Sequence, residues 1–346
     1  MSVKWIEGFD IDYNSTNWPR KYAAVANASY STAAGRVTGL CAAALNPGTS
    51  WTTFSLGLFR TWIFGIAIKP ATIDSEVKIA TLQNDGNEQI SLWMVPGTSG
   101  KTKFRIKRGS TTLGTSTHQF TNGFWAYVEV KVTLDTDGTD GSVELRVNTD
   151  TEILVTGADT TNYNTDRHAD SMNFNLSTNN GQFFFDDIYI ANDQDGINDD
   201  FLGDRMVEAM LADGNGSTQQ WTPNTGSHYS RVNEGVADDD TSYVSIAIDD
   251  PGKIELFTFS DITTITTEIN AVQVTHSARI DASGEAAYRL RFKNGGDVAN
   301  GPDQSVTMID GYTWFTEIYN EDPTISGPWT VENFNAMEFG IESRTP

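Results

Sequence analysis

Asp166, His168 and Asp170 stand at i, i+2 and i+4 in the stretch Asp166-Arg167-His168-Ala169-Asp170. On an extended chain the three share a face, and an imidazole between two carboxylates is a donor set for a divalent ion. The alternative is a polar loop leading into a strand at 173–176. Asp193-Gln194-Asp195-Gly196-Ile197-Asn198-Asp199-Asp200 gathers oxygens around a glycine turn, as a calcium loop does, but lacks the bidentate Glu that closes an EF-hand. Crowded carboxylates of this kind otherwise repel one another and keep a linker solvated. Asp135-Thr136-Asp137-Gly138-Thr139-Asp140 reads as a solvated hairpin turn, since Asp and Gly supply turn geometry on their own. His118, His228 and His276 stand apart from partner motifs; His276 alternates with Val272 and Val274 and reads as packed or half-buried. Gly214-Asn215-Gly216-Ser217 is not followed by the Gly-Lys-Ser/Thr of a phosphate loop and reads as a turn. Among nine tryptophans, Trp93 falls on the face opposite Leu92 and Met94. It can serve as a sugar-stacking platform or be spent on core or interface packing. No residue is assigned a catalytic, cofactor-binding or metal-ligating role.

Composition narrows the classes of partner. The chain has 346 residues, enough for two cores, and its 46 acids against 23 bases give a formal charge of −23. Nucleic-acid binding needs clustered Lys and Arg to meet phosphates, and anionic lipid surfaces make the same demand, so neither partner is expected. A single cysteine, Cys41, removes a disulfide framework and a Cys-rich zinc site. No stretch reaches the roughly 18 apolar residues of a membrane span. Lys4, Glu7, Asp10, Asp12 and Arg20 interrupt the first thirty residues, and no signal peptide is expected.

The elements that would position these residues are strands. Trp62, Phe64, Ile66 and Ile68 alternate with Ile63, Gly65 and Ala67; Ile90, Leu92 and Met94 alternate with Ser91 and Trp93. Phe104 and Ile106 sit between Lys103, Arg105 and Lys107, the pattern of a strand with one wet face. Val128, Val130 and Val132 oppose Glu129, Lys131 and Thr133, and Val143, Leu145 and Val147 oppose Glu144 and Arg146. The later strands read 243–248, 253–259, 271–276, 287–293, 305–309 and 312–319. Thr330 then caps a short helix carrying Val331, Phe334 and Met337, and a closing edge strand follows at 339–341. The fold class is all-β: two β-sandwich domains at 1–195 and 201–346, joined by an acidic linker at 193–203. The first 200 residues carry 15 bases and 23 acids, and residues 201–346 carry 8 and 23, so the second domain is both smaller and more acidic.

Three segments carry a family resemblance. Trp125-Ala126-Tyr127-Val128-Glu129-Val130-Lys131-Val132, then Gly141-Ser142-Val143-Glu144-Leu145-Arg146-Val147-Asn148, then Phe185-Asp186-Asp187-Ile188-Tyr189-Ile190 resemble the late strands of concanavalin A-like (laminin G-type) jelly rolls. Glu7-Gly8-Phe9-Asp10 is similar to their first strand. The second part resembles a module that follows such jelly rolls in structural proteins of tailed bacteriophages. The matching residues there are Gly203-Asp204-Arg205-Met206-Val207, Gln220-Trp221-Thr222-Pro223, Asp239-Asp240-Thr241-Ser242-Tyr243-Val244 and the run 329–340. Retaining glucanases of the first family carry a Glu-x-Asp-x-x-Glu or Glu-x-Asp-x-Glu strand, which places nucleophile and acid together. Glu129-Val130-Lys131-Val132 has no second acid at +2 or +4, so no enzyme is expected.

The tandem resemblance implies a non-enzymatic virion structural protein of tail, fibre or head surface, made in the host cytoplasm. Its expected partners are capsid, collar or tail proteins and further copies of itself in a homo-oligomer, with no cofactor. The alternative is a lectin-like adhesin that binds host-surface glycans, and a glycoside hydrolase ranks behind both.

Overall fold

The computed structural model describes residues 2–12, 18–27, 29–31, 35–37, 39–44, 48–70, 72–163, 165–175, 183–194, 196–247, 249–264, 268–281, 284–307 and 311–346. Strands dominate, as the alternating pattern demands, and every strand pair formed is antiparallel. The chain divides into two compact units, Met1–Val207 and Glu208–Pro346.

The first unit is a jelly-roll sandwich of two eight-stranded sheets. One sheet runs Asp150–Thr156, Ser142–Val147, Ala126–Thr133, Thr61–Lys69, Phe183–Ala191, Cys41–Ala44, Ser29–Ser31, with Val3–Glu7 also paired to Phe183–Ala191. The other runs Thr111–Thr115, Lys101–Arg108, Asn87–Pro96, Val77–Asn84, Ser171–Asn175, Ser50–Thr52, Ala24–Ala26, with Phe120–Thr121 added to Lys101–Arg108. The inward rows read from the sequence meet in one core that includes Trp62, Leu92, Phe104, Val130 and Leu145. At its centre Trp51 stacks on Phe174 at 5.6 Å and meets Phe185 edge-on at 5.5 Å. Each such side chain removed from water contributes about 1.5–3 kcal/mol.

The two outer faces differ. In Thr61–Lys69 eight of nine residues are buried, on both faces, because residues 199–207 lie across the outside of that sheet. Leu202 N donates to Tyr189 Oη at 3.2 Å, Gly203 N to Glu129 Oε1 at 2.8 Å, and Val207 N to Asp187 Oδ1 at 2.8 Å. Arg36 donates to the Arg205 carbonyl at 2.8 Å, and Arg146 lies 4.0 Å over the Phe201 ring. The end of the acidic stretch is thus a strap bound to the first unit. The other sheet's outer face keeps Thr52, Lys78, Trp93, Arg105, Lys107, Thr115 and Asn173 partly in contact with solvent.

The second unit is built on a five-stranded sheet in the order Ala212–Gln219, Ile254–Phe259, Glu338–Arg344, Ala286–Asn294, Asp297–Val306. A ribbon of Val272–Ala278 and Thr313–Tyr319 contributes Val272, Val274 and Tyr319 to a core around Phe292, Trp329, Phe334 and Phe339. Thr330 caps the Val331–Asn335 helix by accepting from Asn333 N at 3.1 Å. Three expectations are corrected here. The final strand lies in the middle of its sheet, between Ile254–Phe259 and Ala286–Asn294, because Phe339 and Ile341 pack into the core. Among the described residues the segment expected at 243–248 pairs only over Val244–Ser245; residue 248 lies outside them. The strand expected at 305–309 runs instead from Asp297 to Val306 as the return of a tight hairpin; residues 308 and 309 lie outside the described residues.

Candidate functional site

On the solvent-facing sheet, strand pleating sets every second side chain outward, and the register aligns these into rows across the strands. One row reads Thr52, Asn173, Thr81, Ser91, Lys107, Thr112. Beside it runs Lys78, Trp93, Arg105, Thr115. Trp93 is on this face because Ile90, Leu92 and Met94 fill the core on the other side of the same strand.

The Trp93 ring is half-exposed and fixed. Its Nε1 donates to Ser91 Oγ at 2.8 Å, and Ser91 Oγ donates to Glu88 Oε1 at 2.7 Å. The ammonium groups of Lys107 and Lys78 sit 4.1 and 5.4 Å from the ring centre, each a cation–π contact worth about 0.5–1 kcal/mol at an exposed site. Glu76 bonds both Arg105 and Lys107, and Glu88 holds Lys78 at 2.6 Å. The Lys107 ammonium keeps the Glu76 carboxyl below the ordinary carboxylate range. Asn173 Nδ2 donates to Thr52 Oγ1 at 2.7 Å, and Arg105 Nε to Thr115 Oγ1 at 2.9 Å. Under this layer the buried Thr81 hydroxyl has no hydrogen-bond partner. An aromatic plate among hydroxyls, amides and cations can stack against a sugar ring and exchange hydrogen bonds with its hydroxyls.

The other sequence candidates fall elsewhere. His168 Nδ1 pairs with Asp166 Oδ1 at 2.9 Å, while Asp170 turns away to accept from Asp85 N and Ser171 Oγ, so the three do not converge. In the 193–200 loop, Asp200 pairs with Lys131 at 3.1 Å; Asp195 lies outside the described residues. Among the described residues no three His, Cys, Asp or Glu side chains are grouped to hold a metal ion. Asp135 is buried rather than solvated. It binds Asp140 N at 3.0 Å and Arg167 at 2.8 Å, and so anchors the turn that its neighbours form. Glu129 is a buried structural acid that accepts from the Tyr189 hydroxyl and Gly203 N. His118 and His228 are not isolated: they pair with Glu152 and Glu255. Gly214–Ser217 lies within the Ala212–Gln219 strand and is not a turn.

Sequence reading picked out the wet face of Lys103, Arg105 and Lys107 and the orientation of Trp93, but not that the two adjoin. It missed Glu76, Lys78, Glu88, Thr81 and Asn173 altogether. The available signal was local: residues 101–108 hold five bases and no acid on a chain of net charge −23.

No family model and no curated protein matches this sequence. Solved structures with a similar chain path include alginate lyase Aly36B, at 12% identity over 56% of this chain and 96% of that one, with a TM-score of 0.40. They also include an endo-β-1,4-glucuronan lyase from the fungus Trichoderma reesei, at 10% identity over 55% and 96%, with a TM-score of 0.42. A third is domain 4 of the Geobacillus stearothermophilus arabinanase AbnA, solved with arabinotriose, at 14% identity over 55% and 92%, with a TM-score of 0.37. Likenesses at this level do not carry a function from one chain to another.

Proposed function

We propose that the first unit is a carbohydrate-binding module and that the face around Trp93 is its binding surface. The observation that carries this reading is the half-exposed Trp93 ring, fixed by Ser91 and surrounded by hydroxyl, amide and cationic side chains on an exposed sheet face. Buried aromatics need no such setting. Trp5, Trp18, Trp51, Trp62 and Trp329 are buried, in line with the packing alternative for most tryptophans. The module is non-catalytic in this proposal: Glu76 and Glu88 are both engaged by cations, which leaves the face without a free general base. The resemblance to phage virion proteins offers a setting, attachment to a host surface. The assembly contacts it implies have no observation in the structure behind them, and glycan binding therefore comes first.

A glycan array probed with the whole chain and with Trp93→Ala tests this. Wild type binds a defined set of glycans, and the variant, its circular dichroism unchanged, loses about tenfold or more in affinity, equivalent to about 1.4 kcal/mol. A silent array with folded wild-type protein, or equal binding by the variant, would sink the proposal. Release of reducing or unsaturated ends from a bound glycan would overturn its non-catalytic part.

A further inference from the structure

The Lys101–Arg108 strand runs against the charge of the rest of the molecule. Lys101, Lys103, Arg105 and Lys107 project from one face at intervals of about 6.8 Å, two residues of antiparallel strand. Lys78 adds a cation from Val77–Asn84, the second strand over, beyond Asn87–Pro96. Glu76 pairs with Arg105 and Lys107, and Glu88 with Lys78. Among the described residues no carboxylate pairs with Lys101 or Lys103, although the chain carries twice as many acids as bases. At its Lys101 end the strand pairs with Thr121, which borders a cleft of about 290 Å³ lined by Phe120, Phe124, Trp125 and Asn148. The Phe124 side chain there is 69% exposed.

We infer that the ligand of this face is an acidic polysaccharide, laid along the Lys101–Arg108 strand from the Trp93 plate toward the Phe124 cleft. The inference rests on the carbohydrate reading above and deepens it to a class of glycan. Cations in excess of carboxylates on an acidic molecule form a local sink for a flexible polyanion. Carboxylate or sulfate groups repeating along a sugar chain meet the row of cations, and its hydroxyls meet the partly exposed Thr52, Asn173 and Thr115. Each acid drawn to Lys107 or Lys78 also takes an ammonium off the Trp93 ring and frees its face for stacking. Nucleic acid fits less well, because a longer phosphate backbone would leave this short strip and run over acidic surface.

The test is a titration of the whole chain with hexasaccharides of galacturonate, mannuronate and chondroitin sulfate, with methyl-esterified oligogalacturonate, and with an oligothymidylate. At least one acidic sugar binds, its affinity falls as salt rises, its neutral ester (for galacturonate) is about tenfold weaker, and the oligothymidylate does not compete. Lys101→Ala with Lys103→Ala, two side chains that no carboxylate pairs with among the described residues, weakens the acidic ligand about tenfold and leaves neutral sugars from the array unaffected. Binding of the acidic ligand changes the tryptophan fluorescence of wild type but not of Trp93→Phe. If neutral sugars bind as well as acidic ones, or the double lysine variant binds normally, the inference fails while the carbohydrate reading stands. If no sugar binds and the oligothymidylate does, both fail. Binding of only the sulfated sugar keeps the inference and names sulfate as the anion.

Discussion

Asp186 is buried beside Asp187, and burial, then the neighbouring carboxylate, push its carboxyl up to about 8. Burial likewise raises Asp10 to about 6. Between about pH 4 and 8 the folded state therefore holds a proton at Asp186 that the unfolded chain has lost. Its stabilising effect is complete in acid and disappears as pH rises toward 8. Asp186→Asn is expected to flatten the decline in the first unit's stability between about pH 4 and 8, as measured by urea unfolding at several pH values. His276 works in the opposite sense. It stacks on Phe315 at 5.5 Å, neither ring nitrogen has a hydrogen-bond partner, and burial lowers its pKa from 6.5 to about 4. Below pH 6.5 the unfolded state gains a proton that the folded state refuses, and the second unit loses stability at up to roughly 1.4 kcal/mol per pH unit until about pH 4. His276→Leu should remove that acid sensitivity; an unchanged slope would show that another group is responsible.

Where the strand rule of alternation applies, the elements were legible in the sequence: Thr61–Lys69, Asn87–Pro96, Ala126–Thr133 and Ala286–Asn294 follow directly from their apolar rows. Ala212–Gln219 was not legible, because its glycines read as turn residues although they serve close packing. A Cβ on Gly216 would stand 2.6 Å from the Leu256 backbone. Gly216→Ala is expected to cost about 1–3 kcal/mol, seen as a lower unfolding midpoint of the second unit alone. The strap at 199–207 was equally invisible, since it is held by backbone N–H groups donating to Tyr189, Glu129 and Asp187, and backbone donors leave no mark in residue type. Tyr189→Phe, which deprives Leu202 N of its acceptor and Glu129 of a donor, should cost about 1–3 kcal/mol and speed amide exchange across 200–204. The candidate site was half legible for a related reason. Alternation tells which way Trp93 and Arg105 point, while the register that sets them side by side depends on pairing between strands.

At the scale of the whole molecule the two pH responses oppose each other. Calorimetry should resolve two transitions that shift in opposite directions as pH is lowered from 7 to 5, the one that His276→Leu corrects moving down; a single transition at every pH would contradict this. The charge is also unevenly spread. A net −23 keeps the surface repulsive to polyanions at large, so the short cationic strand makes any attraction local and strongly dependent on salt. The strap bears on how the first unit can be handled in isolation. A fragment ended near residue 195, where the acidic run suggests a natural cut, would lose residues 199–207 and strip their contacts from Tyr189, Glu129 and Asp187 on the outside of the sheet they cross. Such a fragment would carry a bare apolar sheet face and self-associate, whereas one ended at Val207 would keep that face dressed and remain dispersed.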